Sequence, residues 1–108
     1  MSSLLVESRT ARAAGVEISE DTLTVELADG RTIAVPIGWY PRLATATDKE
    51  RSNWRLIADG SGIHWPAIDE DVSVVNLLAG QPSAESQASF KKWLAGRAKP
   101  IRSRKQSG

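Results

Sequence analysis

The sequence predicts an α+β fold: a small, mostly antiparallel sheet from two β-hairpins, with short helices between them and one C-terminal helix. Three observations carry this. Strand-like apolar runs come in neighbouring pairs, around Asp29-Gly30 and around Asp59-Gly60-Ser61-Gly62, and do not alternate with long helical stretches. Short helix signals lie between the pairs. After Gly80 the composition turns from mixed to helix-forming and then basic. At 108 residues the chain is one domain's worth, and its 41% hydrophobic and 25% charged content is ordinary for a globular protein.

Taken in order, residues 1–14 read as a flexible arm, because Leu4-Leu5-Val6 is followed by small and basic residues with no period. Val16 to Ile18 begin the ordered part, and Ser19-Glu20-Asp21 reads as a turn. Thr22 to Leu27 and Arg31 to Ile37 form the clearest hairpin. A two-residue Asp29-Gly30 turn would set Val25 against Ala34 and strand Ile33 and Val35 on the polar face. A three-residue loop, Ala28-Asp29-Gly30, pairs Val25 with Ile33 and Leu23 with Val35, so burial selects it, with Gly30 at positive φ. Pro41 suits the first turn of a helical connection over residues 42–46, and Thr47-Asp48-Lys49-Glu50 is a capping box starting a short helix through Asn53.

The stretch from Asp59 to Leu78 organises the rest. Residues 54–58 and 63–65 read as a hairpin around the loop 59–62, which sets Ala58 opposite Ile63, Leu56 opposite Trp65 and Ile57 opposite His64. Pro66 ends the second strand. Asp69, Glu70 and Asp71 then read as the start of helical turns over Val72 to Leu78, capped by Asp71 or Ser73. Past the Gln81-Pro82-Ser83 boundary, Ser83 is expected to cap a helix over Ala84 to Arg97, with Phe90, Trp93 and Leu94 as its apolar stripe. Pro100 is expected to stop it, leaving a basic disordered tail. Residues 1–80 thus form a single domain, and residues 81–108 a helix and tail.

Several function classes are excluded by what the chain lacks. There are no cysteines, which removes disulfides, thiolate chemistry and Cys-based zinc sites and fits a cytoplasmic location. No apolar run is long enough for a membrane span, and the MSSLLVESR start has neither the basic region nor the apolar region of a secretory signal. The net charge of +1 averages two unlike parts. Residues 1–90 hold seven basic against thirteen acidic side chains, leaving −6, whereas residues 91–108 hold seven basic side chains and no acid.

Four motifs in order carry a family resemblance: Leu23 to Arg31, Trp39-Tyr40-Pro41-Arg42-Leu43, Asn53-Trp54, and Gly62-Ile63-His64-Trp65-Pro66 through Asp69 to Val74. Over about residues 14–80 the chain resembles the bacterial domain of unknown function family 2442. The resemblance implies a small α+β domain with no established activity, in some members followed by a helix-turn-helix. It also implies, for some, a gene pair suggestive of toxin and antitoxin. Residues 81–108 are too short for a helix-turn-helix, which weakens any transfer of sequence-specific DNA binding, and the family supplies no catalytic residue.

The candidate residues therefore point to contact more than to chemistry. His64 is the sole histidine, in a strand between Ile63 and Trp65, with no nucleophile motif and no second ligand beside it. Consecutive acids at 69–71 lack the spacing of a calcium loop, and the Gly60-Ser61-Gly62 turn lacks the helix and lysine of a phosphate loop. No metal, cofactor or catalytic set is expected. Trp39, Tyr40, Trp54 and Trp65 read either as core between the hairpins or, with Arg42 and His64, as a partner surface. Lys99, Arg102, Arg104 and Lys105 are the candidate nucleic-acid contacts. The leading expectation is a non-enzymatic module, antitoxin-like, that binds a small protein or itself. The rivals are a nucleic-acid-associated regulator using the tail and a small-ligand-binding domain.

Overall fold

Burial alternates along the first hairpin as the sequence requires. The computed structural model describes the backbone of residues 11–107 and the side chains of residues 11–97. In β2 (Thr22–Leu27), Leu23, Val25 and Leu27 turn inward, and β3 (Thr32–Pro36) meets them with Leu23 opposite Val35 and Val25 opposite Ile33. The three-residue loop is present. The Gly30 N–H donates to Leu27 O at 3.0 Å, and Gly30 has φ +98°. Asp29 steadies the turn by accepting from the Arg31 backbone N–H and Nε.

The arm is shorter than expected. β1 (Ala13–Ile18) pairs antiparallel with β2, with a bulge between Ala13 and Gly15, and Ala11 and Ala13 are buried in the core; residues 1–10 of the expected arm lie outside the described residues. Ala13-Ala14-Gly15 has little strand propensity of its own. Its pairing is imposed by β2, whose edge would otherwise be open.

A 3₁₀ turn (Ile37–Trp39) leads into α1 (Pro41–Ala44), with Pro41 at its first position. Next, α2 (Asp48–Ser52) starts from a complete capping box: Glu50 N–H donates to Thr47 Oγ1 at 3.1 Å, and Thr47 N–H donates to Glu50 Oε1 at 2.9 Å. Arg51 reaches back to donate to the carbonyls of Leu43 and Ala44, satisfying the free end of α1.

The second sheet has three strands in the order β4 (Arg55–Ile57), β5 (Gly62–Trp65), β6 (Glu70–Ser73). Its register corrects the sequence expectation by two residues, with Leu56 opposite Ile63, Ile57 opposite Gly62 and Arg55 opposite His64. The loop is Ala58–Ser61, one position earlier than expected, because Ala58, Asp59 and Gly60 take φ values of 51°, 59° and 91° in succession. A Cβ on Gly60 would lie 3.1 Å from Arg12 Cβ and 3.4 Å from Ala13 O, so only glycine lets this loop close on β1. A slip of two keeps the faces, and Ile63 and Trp65 still point inward.

β6 replaces part of an expected helix. Glu70 to Ser73 pair with β5, and Ser73, not Asp71, caps α3 (Val74–Leu78) by accepting from Asn76 N–H. Val72 and Val74 are buried, whereas helical spacing from Val72 would have wasted the alternation Glu70-Asp71-Val72-Ser73. One core joins both sheets through Leu23, Val25, Leu43, Ile63, Trp65 and Ile68. The Trp65 indole N–H, enclosed among them, donates to Arg51 O at 2.9 Å.

The last element, α4 (Gln87–Ser107), starts three residues later than expected. Ser86 Oγ accepts from Ser89 N–H, while Ser83 Oγ accepts from Glu85 N–H in the approach to the helix. α4 runs on past Pro100, where a break and an unstructured tail were expected. A proline removes one rung of the ladder, and here the helix continues across the gap. No described helix is long and apolar enough to cross a membrane.

Candidate functional site

The junction between α4 and the body is built from two arginines and one indole. Arg42 projects from the first turn of α1. Its Nε and Nη2 donate to the Glu85 carboxylate at 3.0 and 2.7 Å, and its Nη1 donates to Ile68 O at 3.0 Å and to Asp69 O at 3.4 Å. Its guanidinium carbon also lies 4.8 Å from the centre of the Trp93 ring. Arg97, one turn along α4, lies 4.7 Å from the same ring and donates to both oxygens of Glu50 at 2.9 and 3.1 Å. Trp93 is thus in cation–π contact with two guanidinium groups, and Phe90 stacks on it at 6.0 Å.

The electrostatics follow this geometry. The hydrogen bond from Arg42 holds the Glu85 carboxyl below its usual range, and that from Arg97 does the same for Glu50, helped by the Thr47 backbone N–H. Bidentate arginine–carboxylate pairs that are part-buried and share an aromatic neighbour are firmer than exposed ones. The helix is therefore pinned at two points, by Glu85 before its first turn and by Arg97 in its third.

Glu70, expected at the start of a helix, is instead a buried strand residue. Glu70 occupies an inward position of β6 opposite Trp65 and is 8% exposed. Burial raises its pKa to about 7, the charges of Glu85, Asp71 and Asp69 add to the rise, and Arg42 opposes it. The Tyr40 hydroxyl is buried with no hydrogen-bond partner among the described residues, and burial together with Glu70 raises its pKa.

The residues singled out in the sequence fall in three places. Trp65, 0% exposed, and Tyr40, 3% exposed, are core and not partner surface. Trp39 and Trp54 are half-buried against that core, and Arg42 is committed to the junction. His64 lies on the face of its sheet opposite to Trp65, its Nδ1 2.5 Å from Asp71 Oδ1. The expected cluster of Trp39, Tyr40, Arg42, His64 and Trp65 is not one surface. Strand alternation alone separates His64 from Trp65. Missed were the burial of Glu70, which the alternation with Val72 could have signalled, and the pairs Arg42–Glu85 and Glu50–Arg97, which no local spacing announces.

On the outside of α4, Lys91 and Lys92 are exposed. A 100° turn per residue places positions 91, 92, 99 and 102 along one side of the helix and positions 90, 93, 94 and 97 along the docked side, with position 105 next to position 94. Position 104 falls with the docked side. The side chains of Lys99, Arg102, Arg104 and Lys105 lie outside the described residues. Two shallow clefts flank the body: one of about 270 Å³ between Val16, Ile18, Arg51 and Trp54, and one of about 330 Å³ between Pro41, Phe90, Lys91 and Leu94. Among the described residues no group of three His, Cys, Asp or Glu side chains could hold a metal ion.

Two three-stranded antiparallel sheets over one core, with short helices and a pinned C-terminal helix, define a small α+β domain. The chain belongs to the family described as protein of unknown function (DUF2442), whose model matches residues 13–83. It is similar to a crystal structure of a protein of unknown function from Rhodospirillum rubrum, at 30% identity and TM-score 0.59, covering 72% of this chain and 94% of that one. It also shares its fold with the solution structure of an uncharacterised protein from Chromobacterium violaceum, at 20% identity and TM-score 0.63, covering 87% of this chain and 83% of that one. No curated protein matches.

Proposed function

We propose that the protein is a non-enzymatic interaction module whose body holds α4 so that its basic side meets the phosphate backbone of a nucleic acid. The observation that carries this reading is the one-sided docking of α4. Phe90, Trp93 and Arg97 are turned to the body, while Lys91 and Lys92 are exposed at the head of a row of basic positions. The acidic balance of residues 1–90 favours approach of a polyanion along the helix alone. The rival reading, an antitoxin-like module that grips a small protein through aromatic residues, loses Trp65 and Tyr40 from its contact surface because both are enclosed.

Fluorescence anisotropy with labelled duplex DNA tests the proposal. Four phosphate contacts would give a slope of log affinity against log salt of roughly −4, and each contact removed should reduce its steepness by about one. A K91E/K92E variant should weaken binding to all sequences alike. Absence of binding at low salt, or equal binding by this variant and by a chain ending at Arg97, would remove the reading. Capture of acidic proteins with no DNA binding would replace it with a protein-partner role.

A further inference from the structure

Glu70 breaks the rule that the inward positions of a sheet are apolar. Its neighbours on that face are Val72 in the same strand and Trp65 across the ladder. The titratable and charged groups that face it are Tyr40 at the entry to α1, Arg42 within α1, Glu85 in the approach to α4, and Asp69 and Asp71 on either side. Only one of these is a cation. Arg42 gives its hydrogen bonds to Glu85 and to the carbonyls of Ile68 and Asp69, the latter one residue from Glu70. One guanidinium thus pairs with Glu85, acts electrostatically on Glu70 and is shared with the ring of Trp93.

We propose that Glu70 and Glu85 compete for Arg42, so that the start of α4 is clamped to the body while Glu70 is neutral and is released when Glu70 ionises. A neutral Glu70 leaves Arg42 one carboxylate partner, and the bidentate pair with Glu85 holds. An ionised carboxylate at an inward position cannot stay unpaired, because the interior solvates charge poorly. The one cation that acts on Glu70 already donates to the adjoining carbonyl of Asp69, and an ionised Glu70 would draw it away from Glu85. That move breaks the pair that pins the head of α4 and lifts the guanidinium from Trp93. The inference rests on the junction alone and stands whether or not α4 binds nucleic acid.

The test follows the Trp93 indole signal and the amide exchange of residues 87–97 in the full chain by NMR, between about pH 5.5 and 8.5. Protection should fall, and the Trp93 signal shift, with one midpoint near neutrality. Glu70→Gln should stay clamped throughout. Glu85→Gln should be released already at the acidic end, which keeps the test open if the first variant fails to fold. The transition should persist in His64→Ala. Flat behaviour of the natural chain, the same transition in Glu70→Gln, full protection in Glu85→Gln, or loss of the transition in His64→Ala would each overturn the proposal.

Discussion

Glu70 makes the stability of this fold depend on pH, because a carboxyl on the core face is tolerated best when it keeps its proton. Its pKa rises from 4.5 in the open chain to about 7 in the folded one, so the native state holds the proton more tightly. The stability it contributes is complete below the open-chain value and is lost as pH rises through the folded one. The loss is on the order of 3 kcal/mol at most, from the conversion of a pKa change to free energy. Glu70→Gln should therefore be the more stable chain at pH 8 by roughly 2–3 kcal/mol in urea melts, with the gap closing towards pH 5. Equal stability at both pH values would show that Glu70 ionises freely. This residue was legible in principle, since Glu70-Asp71-Val72-Ser73 alternates in the strand manner. Three adjacent acids read more readily as a helix start, and only pairing with β5 decides between the two.

At the scale of elements, those with their own local chemistry were readable and those imposed by neighbours were not. The β2–β3 register followed from which pairing buries Val25, Ile33, Leu23 and Val35, and the Thr47 capping box followed from two side chains three residues apart. The β4–β5 register was displaced because the left-handed run Ala58-Asp59-Gly60 answers to contact with Arg12 and Ala13, 47 positions away. β1 was nearly invisible because alanine and glycine announce nothing. The hairpin loop gives the cleanest check. Nothing lies within 4 Å of a Cβ added at Gly30, so Gly30→Ala meets no clash and reports backbone strain alone. It should lower stability by about 1 kcal/mol with no change in cooperativity in a denaturant melt. A neutral result would mean that the loop relaxes to another turn.

Across the whole molecule, the two sheets form one cooperative unit because they share a single core in which Trp65 is fully enclosed. It shares that core with Leu23, Leu43 and Ile68, and its indole N–H ties β5 to the end of α2. Trp65→Ala should cost about 3–5 kcal/mol, a large part of the stability of a domain this size. Circular dichroism and calorimetry should then show both sheets lost in a single transition at a lower temperature. Separate melting of the two sheets would contradict a shared core. The long reach of the junction pairs also sets an order of assembly. During synthesis, β1, β2 and β3 can pair as soon as Pro36 has emerged, but Arg42 must wait 43 residues for Glu85, and Glu50 must wait 47 for Arg97. Both sheets can thus close before Glu85 and Arg97 have been made, and α4 is the last of the described elements to reach the body.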